Sequence, residues 1–236
     1  MKRQIKSINN LLVKHFGVPP RGKKLPDPVD LLIATILSQN TNDKNSYKAF
    51  NSLKEKYPGW EEAAELPRKK IEQIIKVAGL GKQKSLAIKN FLTKIKAERG
   101  KIDLRYLSKA RNEDILNELT SFNGIGIKTA SCVLLFSLDR NVCPVDTHVH
   151  RTLNRIGLVK TSSPDKTFYA INEKLPEGIA HQFHTNLIRL GREICKPAKP
   201  SCSICPVLKI CKYEGKNFVV SNNYKQNSFM LLDEIH

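Results

Sequence analysis

The sequence has no apolar run approaching the eighteen or so residues of a spanning helix, so insertion in a membrane is not expected. Its first residues, MKRQIKSINNLLVKHFG, lack the apolar h-region and small-residue cleavage site of a signal peptide, which argues against secretion. No segment recurs at a fixed period, and no β-run is bounded by hairpin turns. Acidic residues are scarce. Asp and Glu number 22 against 40 Lys and Arg, leaving a formal charge of +18. A cation this strong points to a polyanion, either nucleic acid or an anionic membrane face. Aromatic residues make up only 7%, but 40% apolar content beside 26% charged residues still excludes a disordered chain. The 236 residues allow one domain or two small ones.

What is present is helical. VDLLIATILSQ, NSYKAFNSLKEKY, RKKIEQIIKVAG and KSLAIKNFLTKIKAERG carry apolar positions at three-to-four spacing. Turn signals at Tyr57-Pro58-Gly59, Leu66-Pro67 and Ala78-Gly79-Leu80-Gly81 separate them. NEDILNELTSF, KTASCVLLFSL, HVHRTLNRIG, a helix opened by Ser163-Pro164-Asp165, and HQFHTNLIRLGREIC continue the pattern. The expected class is all-α, and the end of the chain from about Lys216 reads as weakly ordered.

Six cysteines occur, and four of them form Cys195-x6-Cys202-x2-Cys205-x5-Cys211. In a reducing cytosol such crowding indicates a metal site rather than a disulfide framework. Structural zinc usually takes two separated C-x2-4-C knuckles, whereas here one CxxC pair is flanked singly on each side. That asymmetry favours a cubane [4Fe–4S] cluster, with zinc the alternative. Cys132 and Cys143 sit in apolar or Pro-flanked contexts and are not counted as ligands. Cys143, His148 and His150 make too loose a set for a metal, so both histidines read as surface or packing residues.

Phe122-Asn123-Gly124-Ile125-Gly126 lies between two helical stretches. Gly124 and Gly126 suit a tight turn that bares backbone N–H groups, a phosphate cradle if it is more than an ordinary helix–helix connection. Lys128, just inside the next helix, feels the positive helix end, which disfavours its protonated form. It is either a nucleophile able to form a Schiff base with a sugar carbon or a plain phosphate-binding lysine. Asp146 is most simply a helix N-cap; beside an activated lysine it becomes the carboxylate that stabilises an oxocarbenium-like sugar.

Together, LLIATILSQNTND, VAGLGKQKSLAI, SFNGIGIKTASCVL, VDTHVHRTLNRIGL and LGREIC followed by the three further cysteines resemble the endonuclease III family of helix-hairpin-helix DNA glycosylases, from about Pro28 to Tyr213. The resemblance implies two helical domains with DNA in the cleft between them. Residues 27–140 would form a six-helix barrel bearing the hairpin. Residues 1–26 with 141–213 would carry the [4Fe–4S] cluster on Cys195, Cys202, Cys205 and Cys211, and 214–236 would be a tail. It implies Lys128 as the attacking amine and Asp146 as its assisting carboxylate. Gly124, Ile125 and Gly126 would bind DNA backbone, while Asn40 and Leu80 would fill the gap left by an extruded nucleotide. Lys82 and Lys84, beside the Leu80 loop, are candidate phosphate contacts or a solvated helix face. Two positions depart from the family: Asn40 replaces the commoner Gln with a shorter side chain, and Asn123 replaces the usual Pro. The activity implied is removal of oxidised pyrimidines followed by cleavage 3′ to the abasic site. The alternatives are a mismatch thymine/uracil glycosylase of the same superfamily and a non-catalytic zinc-stapled DNA-binding module. The partner expected is double-stranded DNA with damaged bases or abasic sites, bound by a monomer in a prokaryotic cytoplasm or a nucleus.

Overall fold

The structure, a computed structural model, describes residues 1–22, 24–219 and 235. The remainder of the expected tail, 220–234 and 236, lies outside the described residues. Among the described residues there is no β-strand, in keeping with the all-α expectation. Eleven α-helices follow one another there: α1 (Lys2–Phe16), α2 (Pro28–Leu37), α3 (Asp43–Lys56), α4 (Trp60–Glu65), α5 (Arg68–Ile74), α6 (Gly81–Arg99), α7 (Asn112–Thr120), α8 (Ile127–Cys132), α9 (Thr147–Ile156), α10 (Pro164–Asn172) and α11 (Ala180–Arg189). α8 runs on into a π-helical stretch, Val133–Ser137, and α11 into another, Leu190–Ile194. None of the described helices is long and apolar enough to cross a membrane. The chain gathers into two compact units, one made of Met1–Arg21 with residues 140–219, the other of Gly22–Asp139 with Ile235.

In the second of these, α2 is the centre. Asp27 caps it by accepting from the backbone N–H groups of Val29 (2.9 Å) and Asp30 (3.4 Å), and Pro28 sets the first helical φ. Every residue of α2 but Asp30 is buried, and α3, α6, α8 and Val133–Ser137 pack around it. A helix that is apolar on all sides belongs inside a core, where each buried Leu or Ile contributes about 1.5–3 kcal/mol at most. Asp30 is spent at the rim, accepting from the Trp60 indole (2.6 Å) and the Lys54 ammonium (3.2 Å). α6 lies against α5 and α4, burying the stripe Lys84, Ala87, Ile88, Phe91, Leu92 and Ile95.

In the other unit, α1 buries Ile5, Ile8 and Leu12 and packs on α11. Polar links fix the join. The Asn186 amide donates to the Gly17 carbonyl (3.0 Å), and the Arg189 guanidinium donates to the Phe16 carbonyl (3.1 Å) and pairs with Glu193 (3.1 Å). Both partners of that pair are buried, so removing either would strand a charge. α9 packs on α11 and on Leu190–Ile194, where Gly191 lets the backbone pass the ring-bearing side of His148; a Cβ there would meet His148 Cβ at 2.7 Å.

Candidate active site and cysteine cavity

The hairpin of the Gly22–Asp139 unit is α7, a turn, and α8. Ile125 N–H closes the turn on the Phe122 carbonyl (3.1 Å), and both side chains are buried. Phe122 sits edge-on to Phe91 of α6 at 5.2 Å. Gly124 has φ +90°, and a Cβ on it would lie 2.6 Å from Ala87 Cβ. Only glycine combines that backbone with so close an approach to α6. Gly126 has ordinary extended φ and open space around it; its part is to head α8 without a side-chain cap, leaving the first N–H groups of the helix bare. Lys128 is the second residue of α8 and half-buried.

One residue the sequence reading missed holds this turn. The Gln39 amide donates to the Gly124 carbonyl (3.3 Å) and to Thr129 Oγ1 (3.4 Å), tying the segment after α2 to the turn and to α8. The contact spans 85 residues of chain, so nothing local announces it. Next to it, Asn40 is exposed with φ +50°, and Leu80 has φ +49° and is 45% exposed. Left-handed backbone at a non-glycine residue is uncommon, and for leucine it is strained.

Lys84 requires a correction. It was expected among phosphate contacts or on a solvated face, but its side chain is 1% exposed. Its ammonium donates to the carbonyls of Leu37 and Ala78, each at 2.8 Å. Burial lowers its pKa to about 8. A group enclosed in this way cannot meet a phosphate. Lys82, two residues earlier, is exposed.

In the other unit, Asp146 is the N-cap of α9, half-buried, with Oδ1 accepting from the Val149 N–H at 2.8 Å. The segment leading to it is clamped. Asn172 accepts from the Cys143 N–H (2.7 Å) and donates to its carbonyl (3.0 Å), while buried His184 meets the Pro144 carbonyl through Nδ1 (2.9 Å). Neither Asn172 nor His184 was singled out from sequence. The two histidines of α9 serve packing: His148 stands against Gly191 and is shifted down by burial, and His150 Nδ1 bonds Thr167 Oγ1 at 2.7 Å.

Cys195, Cys202, Cys205 and Cys211 line a single cavity. Ile156, Leu190, Ile194 and Val207 form its apolar wall. Donors face the sulfurs: Asn217 N–H to Cys202 Sγ (3.4 Å) and the Arg155 guanidinium to Cys195 Sγ (3.5 Å). Arg155 is held by the carbonyls of Lys196 and Pro197 (2.8 and 2.7 Å) and stacks on Tyr213. Burial pushes the Cys205 thiol up to about 12, and the neighbouring sulfurs of Cys195, Cys211 and Cys202 push it the same way. Among the described residues, no three Cys, His, Asp or Glu side chains are arranged to hold a single ion as they stand. Cys132 and Cys143 are buried elsewhere.

Comparison with known proteins identifies the family of the chain. The profile of the HhH-GPD superfamily base excision DNA repair proteins matches residues 33–177. Endonuclease III of Thermotoga maritima is 35% identical over 209 residues, covering 89% of this chain and 92% of that protein. A relative from Arabidopsis thaliana is 38% identical over 190 residues, and the match covers 76% of this chain but 65% of the plant protein's length. Among solved structures, a non-covalent endonuclease III–DNA complex superposes with a TM-score of 0.74 at 27% identity, over 90% of this chain and 95% of that one.

Proposed function

The chain belongs to the HhH-GPD superfamily of base excision DNA repair proteins, in its endonuclease III family, and from that premise we propose a bifunctional DNA glycosylase and abasic-site lyase acting on oxidised pyrimidines. It is a DNA glycosylase of the endonuclease III type; the lyase step and the lesion class are our reading. The observation that carries this reading is Lys128, the second residue of α8, directly behind a glycine turn locked to α6 and to Gln39.

In the proposed reaction the neutral Lys128 amine attacks C1′ of the damaged nucleotide. The glycosidic bond breaks, and the base departs with the bonding pair and is protonated. The amine loses its proton, the sugar ring opens, and an imine joins C1′ to Nζ. Removal of a C2′ proton then expels the 3′ phosphate by β-elimination. Asp146 supplies the carboxylate that stabilises the cationic sugar as the base leaves, with one oxygen still engaged in its cap. Gly124, Ile125 and Gly126 offer backbone to a phosphate, and Asn40 and Leu80 fill the gap of the extruded nucleotide.

We assign Cys195, Cys202, Cys205 and Cys211 to a [4Fe–4S] cluster. The residues fit the group: four sulfurs line one apolar-walled cavity, and N–H donors of the kind that stabilise thiolate ligands face two of them. Bound there, it would act as a structural staple for residues 195–211. The substrate is double-stranded DNA with damaged or abasic nucleotides, bound by a monomer in a prokaryotic cytoplasm or a nucleus.

The test is borohydride trapping. Wild-type protein should become covalently linked to abasic and oxidised duplexes. Lys128→Gln should lose trapping and strand cleavage while keeping DNA binding. Asp146→Asn keeps a capping side chain, so it should fold normally, release base about 100-fold more slowly, and still trap on a preformed abasic site. Full base release by Lys128→Gln would mean that water is the nucleophile, and the bifunctional reading would fail.

A further inference from the structure

A lysine buried to 1% exposure needs a reason, since a methionine of similar length would fill the same space without desolvating a charge. The two carbonyls bonded by the Lys84 ammonium show what it holds. Leu37 is the last residue of α2, three positions before Asn40. Ala78 ends the 3₁₀ turn Lys76–Ala78, two positions before Leu80. Asn40 and Leu80 are two of the three non-glycine residues with positive φ among those described, the third being Asp139. Lys84 also stands one turn after Leu80, its own N–H bonded to the Leu80 carbonyl at 3.0 Å. One side chain therefore fastens two chain segments, each of which runs directly into an exposed corner with left-handed backbone.

We propose that Lys84 is a positioning residue: its buried ammonium ties the carboxyl end of α2 to the 76–80 turn and so sets the spacing and backbone of the Asn40 and Leu80 corners that enter the damaged duplex. The proposal rests on the reading of those two residues as gap-filling groups. Three features support it beyond the bonds themselves. Strain at a left-handed leucine persists only where surrounding structure over-determines it, and the Ala78 carbonyl is held by the ammonium two residues before Leu80. Gln39 extends the same brace from the α2 end to the hairpin through Gly124 and Thr129. The ammonium's partners are carbonyls at the ends of α2 and of the Lys76–Ala78 turn, with burial the cause that lowers its pKa, so its placement costs stability.

The experiment uses the full-length protein and a duplex with a tetrahydrofuran abasic analogue opposite 2-aminopurine, which reports gap filling without chemistry. Wild-type protein should change the 2-aminopurine emission on binding, and Leu80→Ala should abolish most of that change. Lys84→Met should match Leu80→Ala in this signal and release base about tenfold more slowly in single turnover. Its melting temperature should be no lower than that of wild type, and its affinity for undamaged duplex should be unchanged. A merely structural lysine would lower stability and leave the emission of the folded fraction intact. A wild-type emission change in folded Lys84→Met would overturn the proposal. Should the Met variant not fold, Lys84→Gln, whose shorter amide cannot span both carbonyls, must show the same loss, and wild-type emission from it would overturn the proposal equally. If wild-type protein gives no change, or Leu80→Ala retains all of it, the gap-filling reading itself is wrong and the brace has nothing to position.

Discussion

The cysteine loop of one unit and the hairpin corner of the other both consist of short turns, yet they hold their shape by opposite means. The loop from Cys195 to Cys211 has only brief 3₁₀ turns, Cys202–Ile204 and Leu208–Ile210, and its side chains converge on one cavity. In our account its order comes from covalent ligation. The hairpin corner has no such centre. It is fixed by a glycine too close to α6 for any side chain, by the Gln39 amide, and by an ammonium buried under the end of α2. The first arrangement is all-or-none, because losing one ligand removes the staple. The second is graded, since it is a set of separate contacts and losing one leaves the others in place.

The largest effect expected from this difference is on the loop. Serine at any one of Cys195, Cys202, Cys205 or Cys211 should bleach the visible absorbance and open the Lys196–Lys212 stretch to trypsin. Cys132→Ser and Cys143→Ser should keep the colour, and bleaching by either would break the ligand assignment. In the corner, Gly124→Ala should destabilise by about 1–3 kcal/mol in urea unfolding, since it combines φ +90° with a 2.6 Å clash. Gly126→Ala, with ordinary φ and open space, should stay within about 0.5 kcal/mol.

Next in size is a pH effect at Lys84. Its pKa is about 8 when folded against about 10.4 in the unfolded chain. Between those values the unfolded state binds more protons, so wild-type stability should rise with pH. Relative to Lys84→Met, the gain should approach the order of 1 kcal/mol per pH unit from pH 8 to 10.4 and vanish below pH 7. A flat difference would mean that the ammonium is not desolvated. The smallest effect is at exposed Lys82. Lys82→Ala should reduce the slope of log K against log salt by about 0.9, whereas Lys84→Met should leave the slope alone.

The two regions also differed in how far they could be read from sequence. Four cysteines at ligand spacing are visible because ligation demands a fixed residue type within a short stretch. The Gly-Ile-Gly turn was visible for a similar reason, and Asp146 as a cap because an aspartate preceded a helical pattern. Lys84 was misread because residue type outweighed phase: positions 84, 88, 91 and 95 share one helical stripe, and the last three are Ile, Phe and Ile. That register placed Lys84 in the core whatever its charge. Gln39, Asn172 and His184 were illegible for another reason. Their partners lie tens of residues away, and only the tertiary fold brings the amide or ring to a backbone group. Helices α1 and α4 were also left unassigned, and each is fixed by packing on its neighbours more than by a cap, having no side-chain cap bond.

The central claim is that Lys128 is the nucleophile. Reducing the enzyme–DNA intermediate with borohydride, digesting the DNA and protein, and mapping the sugar remnant by mass spectrometry tests it most directly. The remnant should be found on the peptide containing Lys128 and on no other lysine. A remnant on Lys82, on the amino terminus or on any other amine would contradict it.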